Sequence, residues 1–173
     1  MASDEDLVGR VANGSEAALE ALLARYERPL KTFLVRNGAE PDVDDVFQEV
    51  WIRVVRSASR FDRRKRFSSW LFAIAINCCR DQYARRRGAT AAIDSTDVLT
   101  HAAPSSDRID AQRLLARLDP HGREALVLRY YNDMSEADMS EILDVPRGTV
   151  KSRLHAAIAK LSDLVGKQRE TSK

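Results

Sequence analysis

The residues most able to do chemistry in this 173-residue chain are cations set beside aromatic rings. Between positions 61 and 70, Arg63, Arg64, Lys65 and Arg66 are interleaved with Phe61, Phe67 and Trp70. Cations that follow a phosphate backbone, next to flat faces on which bases stack, are the composition that single-stranded nucleic acid requires. The same three rings would serve equally well in a hydrophobic core, and their spacing does not separate the two readings. A second group lies at 147–155, where Arg147, Gly148, Thr149, Lys151, Ser152, Arg153 and His155 crowd the start of an amphipathic segment. Small and hydrogen-bonding residues at the beginning of a helix reach base edges in a major groove, with flanking arginines for phosphates. Read as charges alone, they would equally be a solvated helix face.

Other chemistries find no support. His101, His121 and His155 are scattered, and no nucleophile, base and orienter trio or phosphate-binding glycine loop is visible, which argues against an enzyme. Cys78 and Cys79 are adjacent, so they imply neither a disulfide framework nor, lacking a second Cys or His two to four residues away, a metal site. No cofactor is expected.

Charge is distributed in blocks that the formal total of +2 conceals. Residues 1–51 hold 5 basic and 11 acidic groups, and 52–87 hold 11 basic and 2 acidic. Residues 88–146 again hold 5 basic and 11 acidic, and 147–173 hold 7 basic and 2 acidic. Two acid-then-basic modules in series speak about partners rather than fold. At 44% hydrophobic residues the chain can bury one ordinary core or two small ones. Its longest nearly uncharged apolar run, 70–79, is about half of a membrane span, and the N-terminus is acidic rather than signal-like, so a cytoplasmic protein is expected.

The elements that must position these groups read as helices throughout, because 7 Gly and 5 Pro are few and no stretch alternates like a strand. Apolar positions from Val8 to Tyr26 predict one or two helices, broken at Asn13, Gly14 and Ser15 with Ser15 as N-cap, and a further segment runs from Pro29 to about Arg36, with Gly38 as a left-handed stop. The next should run from near Asp42 to Ser57. On it Val43, Val46, Phe47, Val50 and Val54 form one stripe, and Asp45, Gln48, Glu49, Ile52 and Arg56 the other. The first stripe is core; the second is either plain surface or a docking face, an exposed Ile52 being an odd residue to leave in water. A helix from about Ser68 or Ser69 to Arg87 follows, nearly apolar all round at 71–76 and polar at Asn77, Arg80, Asp81 and Tyr83. Residues 88–107, rich in Ala, Ser and Thr, read as a flexible linker between two small helical domains, 1–87 and 108–173. Helices are predicted beyond it at 108–118, 120–131, 136–143 and 147–165, giving an all-α chain whose second domain is a four-helix module.

Within that module, 134–161 has the grammar of a helix-turn-helix. Ser135 and Asp138 have capping-box spacing, Met139, Ile142 and Leu143 give a short helix its buried side, Asp144 tolerates left-handed angles, Val145 is an apolar plug, and Pro146 stops the first helix. On the second helix Val150, Leu154, Ala157, Ile158, Leu161, Leu164 and Val165 should face inward, and Gly148, Lys151, Ser152, His155 and Ala159 outward.

Residues 142–155, Ile-Leu-Asp-Val-Pro-Arg-Gly-Thr-Val-Lys-Ser-Arg-Leu-His, closely resemble region 4 of bacterial sigma factors of the extracytoplasmic-function group, with its E-I-L-G-V-P-x-G-T-V-K-S-R-L pattern. Leu118-Asp119-Pro120 and 123–130 resemble the helices before it. Asp45-Val46-Phe47-Gln48-Glu49-Val50-Trp51 is similar to the D-x-x-Q-E-x-F segment of sigma region 2, with Trp51 for the usual Phe. Residues 67–77 with Asp81 are similar to that region's F-x-x-W-L-x-x-I-A-x-N…D pattern.

The resemblance implies an alternative sigma factor that brings core RNA polymerase to promoters and helps open the duplex. By resemblance, Asp45, Gln48, Glu49, Trp51, Ile52 and Arg56 bind the β′ clamp helices, and the second module contacts the β flap. Likewise Arg63, Arg64, Lys65, Arg66, Phe67, Ser68, Ser69, Trp70, Asn77, Arg80, Asp81 and Tyr83 would take the melted minus-10 strand, and the 147–155 group the minus-35 duplex. An anti-sigma partner is a further implication. Asp144 stands where the family usually has Gly, and Ala156 and Ile158 where it commonly has Arg, which implies altered minus-35 affinity. A two-domain regulator that uses the helix-turn-helix without polymerase is the runner-up; it would leave the first module unexplained.

Overall fold

The computed structural model describes residues 2–90 and 106–171, with side chains over 2–88 and 111–166; the central linker, His101 included, lies outside the described residues. Among the described residues all regular structure is helical. The first module consists of α1 (Asp4–Val11), α2 (Glu16–Arg36), α3 (Val43–Ser57), a 3-10 turn (Ala58–Arg60) and α4 (Phe67–Thr90). The second consists of α5 (Ser106–Ala116), α6 (Pro120–Tyr131), α7 (Glu136–Leu143) and α8 (Arg147–Thr171). No described helix is long and apolar enough to cross a membrane.

Local chemistry accounts for the boundaries. Ser3 and Ser15 accept the Asp6 and Ala18 backbone N–H groups at the starts of α1 and α2. Helix α2 ends at Asn37, and Gly38 at φ +81° turns the chain so that the Ala39 N–H bonds back to the Leu34 carbonyl. The expected break at residues 13–15 separates α1 from α2, whereas the segment expected from Pro29 is not separate: Pro29 sits inside α2 without ending it. Asp42 caps α3 by position only: its carboxylate instead accepts from Arg86 at 2.8 Å and from Gln82 of α4. The Arg86 guanidinium, the foremost cause, holds the Asp42 carboxyl below the usual carboxylate range.

The linker expected at 88–107 is shorter by its described ends, since α4 runs to Thr90 and α5 begins at Ser106. The two modules also pack on one another, α7 against α4 and both α5 and α6 against α2, and their buried side chains form one continuous apolar cluster. Polar and aromatic contacts reinforce the seam. Gln112 donates to the Val35 carbonyl at 3.2 Å, and the Arg36 guanidinium lies 3.6 Å from the centre of the Tyr131 ring. Within the second module, Gly122 lets α6 approach α8: a Cβ there would stand 3.1 Å from Ala157 Cβ and 2.7 Å from an Asp119 oxygen.

Candidate nucleic-acid interface

The helix-turn-helix is built by local interactions. Ser135 and Asp138 form a full capping box: each side chain accepts the other's backbone N–H, both at 3.1 Å. Asp144 takes the left-handed conformation at φ 53°, ψ 50°, so α7 ends in the cap that the family's usual Gly would occupy. The Ser140 hydroxyl donates to the Val145 carbonyl at 2.6 Å, and the Pro146 carbonyl accepts from the Thr149 and Val150 N–H groups to open α8. Val150, Leu154, Ala157 and Leu164 are buried beneath.

The opposite face is open. Arg147, Gly148, Lys151, Ser152 and His155 are exposed, Thr149 is half-buried, and the space around Gly148 is empty, so the entry of α8 presents little bulk to an incoming groove. Lys151 lies 3.6 Å from Glu136, a surface pair that water and salt weaken. Two expectations need correction. Ile158, expected inward, is 38% exposed, because it falls at the margin of the buried stripe. Arg153, expected as a free phosphate contact, is half-buried, with one guanidinium nitrogen enclosed and unpartnered.

In the first module, the aromatic residues resolve as a cluster. Phe67 is fully buried, edge-on to Tyr26 at 5.4 Å and to Phe61 at 6.1 Å, while Phe61 and Trp70 lie 5.0 Å apart. Phe67 is therefore a core residue and not a stacking platform, since its ring is spent on Tyr26 and Phe61. Trp70 is only half-buried. Arg63, Arg64, Lys65 and Arg66 are all exposed, but three of them face carboxylates. Arg63 pairs with Asp6, Lys65 stands 3.9 Å from Glu141, and Arg66 stands 3.2 Å from Asp138.

Ser69, at 5% exposure, is closed off, its hydroxyl 3.3 Å from an Asp138 oxygen; Ser68 is half-buried. On the far side of α4, Asn77 and Tyr83 are exposed, and Asp81 pairs with Arg53 at 2.9 Å. Arg80 makes a two-pronged contact with buried Glu124 of α6, at 2.9 and 2.7 Å. Burial tends to raise the Asp138 carboxyl, but Ser135, Arg66 and Ser69 outweigh it and hold the group below its ordinary value.

The third surface is a cleft of about 500 Å³ between α2 and α3, lined by Leu19, Leu23, Phe47, Gln48, Trp51, Ile52, Val55 and Arg56. Ile52 and Val55 are 43% and 45% exposed, so the odd apolar residue of the second stripe has a neighbour and a floor. Asp45 and Glu49 lie outside its lining: Asp45 is exposed on the first turn of α3, and Glu49 pairs at 2.7 Å with Arg53, which also reaches Asp81 of α4. Trp51 is 6% exposed and serves as floor rather than free surface. Val55 was legible as the next step of the stripe that holds Gln48, Ile52 and Arg56; Leu19 and Leu23 were not, because they belong to another helix.

Both halves of this arrangement match known families. Residues 22–89 match the model described as sigma-70 region 2, and residues 108–161 the model described as sigma-70, region 4. RNA polymerase sigma factor CarQ of Myxococcus xanthus is 31% identical over 166 residues, covering 91% of this chain and 94% of that one. ECF RNA polymerase sigma factor SigM of Mycobacterium tuberculosis is 32% identical over 167 residues, covering 95% and 85%. The solved structure of CnrH in complex with the cytosolic domain of CnrY aligns at a TM-score of 0.76 and 30% identity, covering 95% of this chain and 97% of that one. With both regions present in order on one continuous core, the chain belongs to the extracytoplasmic-function sigma factors of the sigma-70 family, alternative factors that direct RNA polymerase to promoters.

Proposed function

We propose that this sigma factor divides promoter recognition among its three surfaces. The exposed entry of α8, Arg147 to Lys151 with Ser152 and His155, reads the minus-35 duplex. The basic loop at 63–66, with Trp70, Asn77, Arg80 and Tyr83 of α4, follows the melted minus-10 strand. The α2–α3 cleft takes an apolar helical face of core polymerase, with Gln48 and Arg56 as its polar rim and Asp45 and Glu49 further along α3. The role is placement of polymerase and help in opening DNA, not catalysis, and its setting is the cytoplasm, where polymerase and promoter meet. The likeness to CnrH, solved with a CnrY domain, supports an anti-sigma partner as well.

One observation carries the reading: α8 buries Val150, Leu154 and Ala157 while Gly148, Lys151, Ser152 and His155 are exposed on its opposite side, over its first turns. That is the disposition of a recognition helix, with a positive helix end and donors directed at DNA. Run-off transcription with purified core polymerase on a promoter library tests it. Promoter-dependent starts that need this protein and fall on Lys151→Ala are expected; no start above core alone would overturn the assignment.

A further inference from the structure

We infer that α1 positions the minus-10 surface, with Glu5 acting as a remote cap that fixes where the basic loop ends and α4 begins. This rests on the strand-binding reading above and adds a positioning residue to it. The start of α4 has no local cap. The Trp70 N–H bonds to the Arg66 carbonyl at 3.2 Å, which puts Arg66 where a helix needs a side-chain acceptor, and a guanidinium offers none. The Glu5 carboxylate supplies one from 62 residues away, accepting the Phe67 N–H at 3.0 Å. That amide is among the first four of α4, which have no partner within the helix, and a carboxylate there also complements the positive helix end.

The neighbours of Glu5 hold the same corner. Asp4 accepts the Tyr26 hydroxyl at 2.6 Å, and the Tyr26 ring meets Phe67 edge-on at 5.4 Å. Asp6 pairs with Arg63, whose guanidinium lies so close to α1 that a Cβ on Gly9 would stand 3.3 Å from its Cζ. The Asp6–Arg63 pair is exposed on both sides and adds little by itself. Glu5 is half-buried and its bond is charge-assisted, so it is the stronger restraint. At the other end of the loop Asp62 makes its own turn, its carboxylate accepting the Arg64 N–H at 3.0 Å and its carbonyl the Lys65 N–H at 2.9 Å. Residues 62–67 are thus held at both ends within the first module, before DNA arrives. A loop already ordered loses less entropy when a strand binds it. The segment matched to sigma-70 region 2 begins at residue 22, so this support comes from outside it.

The test compares the full chain as wild type, Glu5→Ala and Glu5→Gln, the last keeping a carbonyl acceptor for the Phe67 N–H. Amide hydrogen exchange at Phe67, followed by NMR, reads the cap itself. The half-life of open complexes formed with core polymerase, on a promoter from the run-off library, reads its consequence. Glu5→Ala is expected to speed exchange at Phe67 while amides in the middle of α4 and assembly with core polymerase stay as in wild type. Its open complexes should decay on the order of tenfold faster, the effect of losing one cap from the ordered loop. Glu5→Gln should restore both readings. If Glu5→Ala does not fold, Glu5→Asp takes its place, because it keeps the charge and loses the reach. Unchanged Phe67 exchange overturns the cap, as does a Glu5→Gln chain that fails to rescue. Fast exchange with a wild-type or longer half-life overturns the positioning role. A wild-type holoenzyme that opens no promoter overturns instead the strand-binding reading, and Phe67 exchange still judges the cap.

Discussion

Ile52 offers the sharpest test of the docking cleft, because its cost divides between folding and binding in proportions the structure supplies. Ile52→Ala removes three carbons, about 2.4 kcal/mol of transfer free energy at ~0.8 kcal/mol each. With 43% of the residue still exposed, roughly 1 kcal/mol of that is realised only when a partner covers the cleft. The remainder, about 1.4 kcal/mol, is already spent within the free chain and should lower Tm by roughly 3 to 6 °C. Affinity for core polymerase should therefore fall about fivefold. Ile52→Asp seals a carboxylate into an apolar contact, costing about 3 kcal/mol or more and hence ~100-fold or greater in Kd.

Fluorescence titration of labelled sigma with core enzyme, beside a melting curve for each variant, separates the two components. Trp51→Ala is the contrast: as a buried floor residue it should cost about 3 to 5 kcal/mol of stability and lose binding through unfolding. Wild-type affinity in a folded Ile52→Asp chain would refute the cleft as the polymerase contact.

Other substitutions probe the second module and the core. Ala156→Arg and Ile158→Arg, both at exposed positions, should tighten minus-35 duplex binding and steepen the log–log salt slope by about 0.9 for each phosphate gained; an unchanged slope in a salt series would show that neither position faces DNA. Asp144→Val, forced to φ 53°, should destabilise the chain by about 1 to 2 kcal/mol in urea melts, whereas Asp144→Gly should not. Burial, the foremost cause in each case, pushes the Cys78 and Cys79 thiols up to about 11 and about 12, so neither should react with Ellman's reagent at pH 8 until the chain is unfolded.

The helix-turn-helix was legible residue by residue because each of its determinants acts across a few positions. Ser135 and Asp138 are three apart, Asp144 needs only its own dihedral tolerance, Pro146 blocks its own helix, and the buried stripe of α8 follows from period. The all-α reading, the ends of α6 and α7 and the exposed stripe on α3 were legible for the same reason. Periodicity tells which face is covered, but not by what. Hence Phe67, whose spacing suits a stacking ring as well as a core ring, was decided only by Tyr26 and Phe61 closing over it. Leu19 and Leu23 joined the cleft only when α2 met α3. The cations could be counted from sequence, but which of them are engaged depended on Asp6, 57 residues from Arg63, on Asp138, 72 from Arg66, and on Glu124, 44 from Arg80. Such pairings are set by how helices pack after they form, and the chemistry of the two partners carries no record of it.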